Sequence, residues 1–124
     1  MPADKTKKQN SSSYPEVITH LPEAEFPIKG GRAWISQSET HQIVFFEFAA
    51  SLNLPKHSHN YPQWGIVIEG KMELTVDGKS TVYQKGDEYL VSIGAVHCAR
   101  FLEKSRVMDF FSEKSRYKSK SSSI

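Results

Sequence analysis

Residues 57–70 read HSHNYPQWGIVIEG, and two patterns overlap in this stretch. The first is His-x-His. On an extended chain side chains at i and i+2 share a face, so His57 and His59 project together, and Gln63 has the same parity. The second is the run QWGIVIEG, which is apolar at both parities. Trp64, Ile66 and Ile68 fall on one side, and Val67 falls with Gly65 on the other. A half-exposed strand alternates apolar and polar positions, so this one is expected to be buried on both faces. One face would cover the core and the other would meet a second sheet or a second subunit. In so small a chain a homodimer is the expectation.

The flanking sequence is strand-like on both sides. HQIVFFEFAA (41–50) is rich in β-branched and aromatic residues, and KMELTVDG (71–78) alternates Met72, Leu74 and Val76 against Glu73, Thr75 and Asp77. Asp77-Gly78 marks a tight hairpin into STVYQ. A turn at Lys85-Gly86-Asp87, then EYLVSI, a break at Gly94, AVHCARF and RVMDFFS complete about eight strands. Turn signals spaced roughly 8–12 residues apart belong to an antiparallel sandwich or barrel, so the fold class is all-β. VITHLPEAEFPIKGG (17–31), interrupted at Pro22 and Pro27 and preceded by Pro15, is expected to be extended or looping.

The chain has 124 residues and a formal net charge of +2, enough for one modest core. The charge is unevenly placed. Residues 14–112 carry nine basic and twelve acidic side chains, while residues 1–13 and 113–124 are Ser/Lys-rich and basic. These ends are expected to be flexible tails around a single barrel spanning 14–112. With the ordered part acidic, neither nucleic acid nor a membrane is an expected partner. Cys98 is the only cysteine, which excludes an internal disulfide and fits a reducing compartment, where it serves as a small hydrophobe. No apolar leader or membrane-length run is present, and a cytoplasmic location is expected.

His97, in the later strand-like stretch, joins His57, His59 and Gln63 as a fourth donor. Imidazole is a common metal ligand and three of them suit Zn, Fe, Ni or Cu, although histidines also serve in cores and on surfaces; the one divalent ion expected (Zn, Ni, Mn or Fe) is what the resemblance given next implies. His20 and His41 lie outside this pattern and are read as ordinary surface or packing histidines. The two stretches HSHNYPQWGIVIEG and GDEYLVSIGAVH together resemble the paired motifs of the cupin superfamily. The first family motif runs Gly, five residues, His-x-His, three or four residues, Glu, six residues, Gly. Here Ser51 stands for the leading glycine and Gln63 for the glutamate, with Gly70 in place. The second is carried by Gly86, Gly94 and His97, with Ser92 for the family's proline and Phe101 for its asparagine. The resemblance implies a double-stranded β-helix jelly roll with His57, His59, Gln63 and His97 around the metal. An amide ligand neutralises none of the cation's charge, which favours polarising a substrate oxygen over dioxygen chemistry.

MDFFSEKSRY (108–117) resembles the C-terminal strand of small cupins of the KdgF type, which linearise unsaturated uronates in pectin and alginate breakdown. The resemblance implies conversion of a 4,5-unsaturated uronate to its open-chain 4-deoxy-5-keto form. It assigns the acid/base role to Asp109 and a substrate contact to Phe111, and it brings the family's arginine near Arg116, displaced by one residue. An anionic sugar needs a guanidinium partner, for which Arg32 and Arg116 are the candidates. A cupin dioxygenase, a cyclase or isomerase on another small molecule, and a non-enzymatic sugar- or acid-binding cupin are the alternative functions.

Overall fold

The structure, a computed structural model, describes residues 12–120. Nine strands follow one short helix: α1 (Glu16–Thr19), β1 (Gly31–Gln37), β2 (Gln42–Phe48), β3 (Asn53–His57), β4 (Gln63–Glu69), β5 (Lys71–Val76), β6 (Lys79–Gln84), β7 (Glu88–Val91), β8 (His97–Phe101) and β9 (Ser105–Phe111). They form two antiparallel sheets, ordered β1-β2-β9-β4-β7 and β3-β8-β5-β6. This is the expected all-β jelly roll. The Asp77-Gly78 turn joins Val76 to Lys79 with both turn residues at positive φ (48° and 84°), the conformation that matches the twist of a two-residue hairpin.

The core lies between the inner faces of the sheets. Ala33, Ile35, Val44, Phe46, Val67 and Val107 from one sheet meet Met72, Leu74, Ala99 and Phe101 from the other, and all are buried. Strict alternation on β9 puts Val107, Asp109 and Phe111 inside, with Arg106, Met108 and Phe110 turned outward. Asp109 therefore stands in the barrel interior because its neighbours two positions away are core residues.

Four expectations are corrected. On β4, Gly65 and Val67 are buried, but Trp64 is 39% exposed and Ile66 and Ile68 are half-buried. The described residues do not fully cover that face, so within one chain β4 is buried on one side only. Glu16–Thr19 is a helical turn rather than extended chain, because Pro15 precedes the helix and Pro22 follows it, where neither breaks it. Residues 113–120 do not leave the barrel as a tail. Gln42, 1% exposed, donates from its amide to the carbonyls of Lys114 and Tyr117 (both 3.0 Å) and accepts from the Tyr117 N–H (3.0 Å). Lys118 and Lys120 then bond along residues 23–25, with an antiparallel bridge between Ala24 and Ser119. At the other end Ser12 and Ser13 are tied down too, with Ser13 donating twice to Glu47 (3.1 Å each). The remaining expected tail residues, 1–11 and 121–124, lie outside the described residues. The fourth correction concerns Arg32 and is given with the site. Among the described residues no helix is long and apolar enough to cross a membrane.

Candidate metal centre

The His-x-His pair does not sit on one strand. His57 closes β3 beside a register irregularity at Leu54–His57, His59 lies in the connecting loop, and Gln63 opens β4. His97 opens β8 directly across from His57, with ring centroids 4.1 Å apart. The loop turns His59 back onto the pair by stacking it on Tyr61, at 4.3 Å and 7° between planes. Strand parity does not hold through 58–62, yet the three rings still converge. One ligating nitrogen from each of His57, His59 and His97 lies within 4.8 Å of the other two.

The ring tautomers follow from the backbone. The Nδ1 of His57 faces the Pro55 carbonyl (2.9 Å), that of His59 the Tyr61 carbonyl (2.8 Å), and that of His97 the Ala95 carbonyl (2.9 Å). A carbonyl oxygen only accepts, so each Nδ1 carries the proton and donates. In a neutral ring the lone pair then belongs to Nε2, the atom left for the cluster. Burial lowers the pKa of His57 and pushes that of His97 down to about 4, which keeps both rings neutral near pH 7. Among the described residues the buried His97 Nε2 has no hydrogen-bond partner, and an orphaned buried acceptor calls for an occupant.

Gln63 completes the set. Its Nε2 donates to Asp109 Oδ2 at 3.0 Å, which turns Oε1 toward His59 Nε2 at 3.1 Å. With a neutral His59 these are two acceptors facing each other, an arrangement that a cation between them relieves. The donor set therefore fits a divalent ion, and the three histidines form a group that could hold one.

Asp109, 5% exposed, accepts from the Tyr89 hydroxyl at 2.5 Å through Oδ1 and from Gln63 through Oδ2. Burial raises its pKa to about 7, against the opposing pull of the Tyr89 and Gln63 hydrogen bonds and the Arg116 charge. Tyr89 and Gly65 were not singled out by the sequence motifs. In the sheet register Tyr89, Gly65 and Asp109 form one cross-strand row on β7, β4 and β9. A Cβ on Gly65 would overlap both the Asp109 carboxylate and the Tyr89 phenol, so the missing side chain is what lets them meet. A glycine inside a strand of otherwise large residues was the available signal.

A cavity of about 390 Å³ opens onto these groups, lined by His57, Gln63, Tyr89, His97, Asp109 and Arg116 among others. The rest of its wall is mainly aromatic and aliphatic, including Phe46, Phe48, Met72, Phe101 and Phe111. Arg116 reaches it from the segment held by Gln42. Its guanidinium lies 5.3 Å from the Phe111 ring centroid and 5.0 Å from that of Tyr117, and its buried Nε has no hydrogen-bond partner among the described residues. Arg32 does not line this cavity. It has the outward parity of β1, pairs with Glu23 at 3.1 Å and stacks over Trp34 at 4.8 Å, so the substrate contact expected of it is withdrawn. Cys98 is half-buried on β8, and His41 bonds Ser38 Oγ (2.8 Å) and packs on Phe110, away from the cluster.

The cupin domain family matches residues 44–111. No curated protein matches the sequence. Among solved structures, KdgF from Halomonas sp. superposes with a TM-score of 0.69 at 24% identity, over 75% of this chain and 87% of that one. An RmlC-like cupin from Shewanella frigidimarina gives a TM-score of 0.72 at 22% identity, over 86% and 95%. Salicylate 1,2-dioxygenase from Pseudoaminobacter salicylatoxidans gives 0.66 at 16% identity, over 70% of this chain and 26% of that one. At these identities the likeness establishes the shared fold. With more than half of its length matched to the cupin domain, the chain belongs to the cupin family.

Proposed function

We propose that this cupin is a metal-dependent enzyme that opens a 4,5-unsaturated uronate to its 4-deoxy-5-keto form. The observation that carries the reading is the pairing, in one cavity, of a buried carboxyl group with a pKa of about 7 and an arginine whose Nε has no hydrogen-bond partner among the described residues. A carboxyl group poised near neutrality can both take and return a proton, and a guanidinium in a largely apolar cavity suits a carboxylate. The likeness in fold to KdgF agrees with this assignment.

In this reading Arg116 binds the substrate carboxylate and Phe111 packs against the ring. Asp109 takes the proton of the anomeric hydroxyl as the bond between C1 and the ring oxygen breaks. C1 becomes a carbonyl, the ring oxygen leaves as an enolate oxygen, and the same proton, returned at C4, converts the enolate to the ketone. The sum is an isomerisation that needs no co-reactant. His57, His59, Gln63 and His97 would hold the divalent ion, whose chemistry when bound is Lewis-acid polarisation of substrate oxygens. The largely apolar wall favours, as a second reading, an isomerase or cyclase acting on a less polar anion.

The partly exposed row of Leu90, Trp64 and Phe110 on β7, β4 and β9 is continuous across the sheet and supports a homodimer formed through this outer face. The single cysteine fits a cytoplasmic location. The reaction is tested by mixing the metal-loaded protein with unsaturated galacturonate and following its ultraviolet absorbance. Loss of the enol-ether band supports the assignment. An unchanged band together with turnover of an apolar enolisable acid supports the second reading, and binding without turnover of either makes the protein a binding module.

A further inference from the structure

We propose that Tyr89 and Gly65 are positioning residues which, through Asp109, decide which atom of Gln63 faces the three histidines. The inference rests on the reading that this donor set holds a metal, and it concerns how the fourth donor is aimed. A glutamine amide has two ends of opposite character. Only the oxygen has a lone pair to give a cation, and the NH₂ end repels one. In a free side chain the two orientations differ by a rotation, so a Gln ligand needs something to choose between them.

The choice is made by the row across β7, β4 and β9. The Tyr89 hydroxyl donates to Oδ1 of Asp109 at 2.5 Å, and this occupies one carboxylate oxygen and fixes the plane of the group. The other oxygen, Oδ2, is left facing Gln63, where it accepts from Nε2 at 3.0 Å. Oε1 is then turned to the His59 side, 3.1 Å from Nε2 of that ring. Gly65 lies between Tyr89 and Asp109 in the row and leaves the space in which they meet. The same geometry gives a structural reason for an amide at position 63. A glutamate there would put a second carboxyl group where Asp109 now accepts an amide hydrogen, and two like charges at that distance are a costly pairing in a buried site.

The relay predicts a reciprocal exchange that a merely structural role does not. With Asn at 109 and Tyr89 still donating to its oxygen, the new NH₂ group faces the NH₂ of Gln63. Gln63 must then rotate and present nitrogen to the histidines. Adding Gln63→Glu to that variant restores a donor–acceptor pair and again gives the histidine side an oxygen.

The test is Co²⁺ titration of metal-free protein, with the d–d spectrum reporting the ligand set. It is paired with the NOE contacts of the Gln63 side-chain NH₂ in metal-free wild type and Asp109→Asn. Outer-shell groups of this kind are worth about 10–100-fold in metal affinity. Asp109→Asn and Tyr89→Phe should each weaken Co²⁺ binding by about 10-fold or more, and Asp109→Asn/Gln63→Glu should return to within about 3-fold of wild type or exceed it. Wild-type affinity in either single variant, or a double variant no better than Asp109→Asn alone, overturns the proposal. If wild type itself binds no Co²⁺, the metal reading fails and the relay is judged on those contacts alone. An NOE from the Gln63 NH₂ to the His59 ring that is weak in wild type and strong in Asp109→Asn upholds it; the same intensity in both overturns it.

Discussion

Two groups at this site titrate in opposite senses, and their opposition can be measured in the metal-free protein. Asp109 has a folded pKa of about 7 against an ordinary value near 3.8, because burial disfavours its charge. Its contribution to stability is fully present below pH ~4 and is lost as pH rises through 7. At about 1.4 kcal/mol per pH unit the loss comes to roughly 4 kcal/mol. His97 has a folded pKa of about 4 against 6.5, again through burial. Its contribution is present above pH ~6.5 and is lost as pH falls toward 4, by roughly 3 kcal/mol. Between pH ~4 and ~6.5 the two slopes are equal and opposite, so in wild type they largely cancel. Asp109→Asn removes one of them. The lowered pKa of His57 acts in the same sense as that of His97 and is present in both proteins, so it drops out of the difference. Urea unfolding in EDTA from about pH 4.5 to about pH 7.5 should show the Asn variant gaining about 3–4 kcal/mol relative to wild type across that range. A constant offset matters little, since Asn changes the local hydrogen bonds at every pH. A stability difference that stays flat to within about 1 kcal/mol over the range would refute the burial account of Asp109.

The remaining predictions address the donors, the anion handle and the outer face. His97→Ala should abolish stoichiometric metal content, read by plasma mass spectrometry, while the far-ultraviolet spectrum remains that of the folded barrel. Arg116→Met keeps the stem that packs on Phe111 and Tyr117 but removes the charge, so KM for an anionic substrate should rise about 10-fold or more with a smaller change in kcat. An unchanged KM would take Arg116 out of substrate binding. Leu90→Lys, at a residue 62% exposed, should convert a dimer to a monomer by light scattering without loss of melting temperature. A wild-type monomer at micromolar concentration would remove the dimer reading.

The fold was legible because its signals are local. Alternation along KMELTV, the Asp77-Gly78 turn and the alternation of β9 each state which side chains face inward, and the structure follows them. What was not legible depends on partners distant in sequence. A Ser/Lys-rich composition marks residues 113–124 as a tail, but the segment 114–117 is held by Gln42, more than 70 residues earlier. That single buried amide brings Arg116 into the cavity. Arg32 failed for a related reason. Its charge was visible, but its outward parity on β1 and its pairing with Glu23 were not.

At the site the spacing named the donors without giving the route by which they meet. His57 and His59 were placed together by strand parity, yet the strand ends at His57 and stacking on Tyr61 turns His59 inward. The reading of Gln63 changed most. From the sequence, an amide in a carboxylate's place was a statement about charge at the cation. With Asp109 3.0 Å from its nitrogen, it is also a statement about the next layer, where an acidic neighbour excludes a second acid. The two reasons make different demands on a substitution. If cation charge alone matters, Gln63→Glu should tighten metal binding whatever stands at 109. If the Asp109 contact governs, the same change should help only after Asp109 has become Asn. The departure from the family's glutamate at Gln63 is therefore tied to Asp109, Tyr89 and the bare backbone of Gly65; with Gln63 these are four residues on three strands whose relation no linear motif expresses.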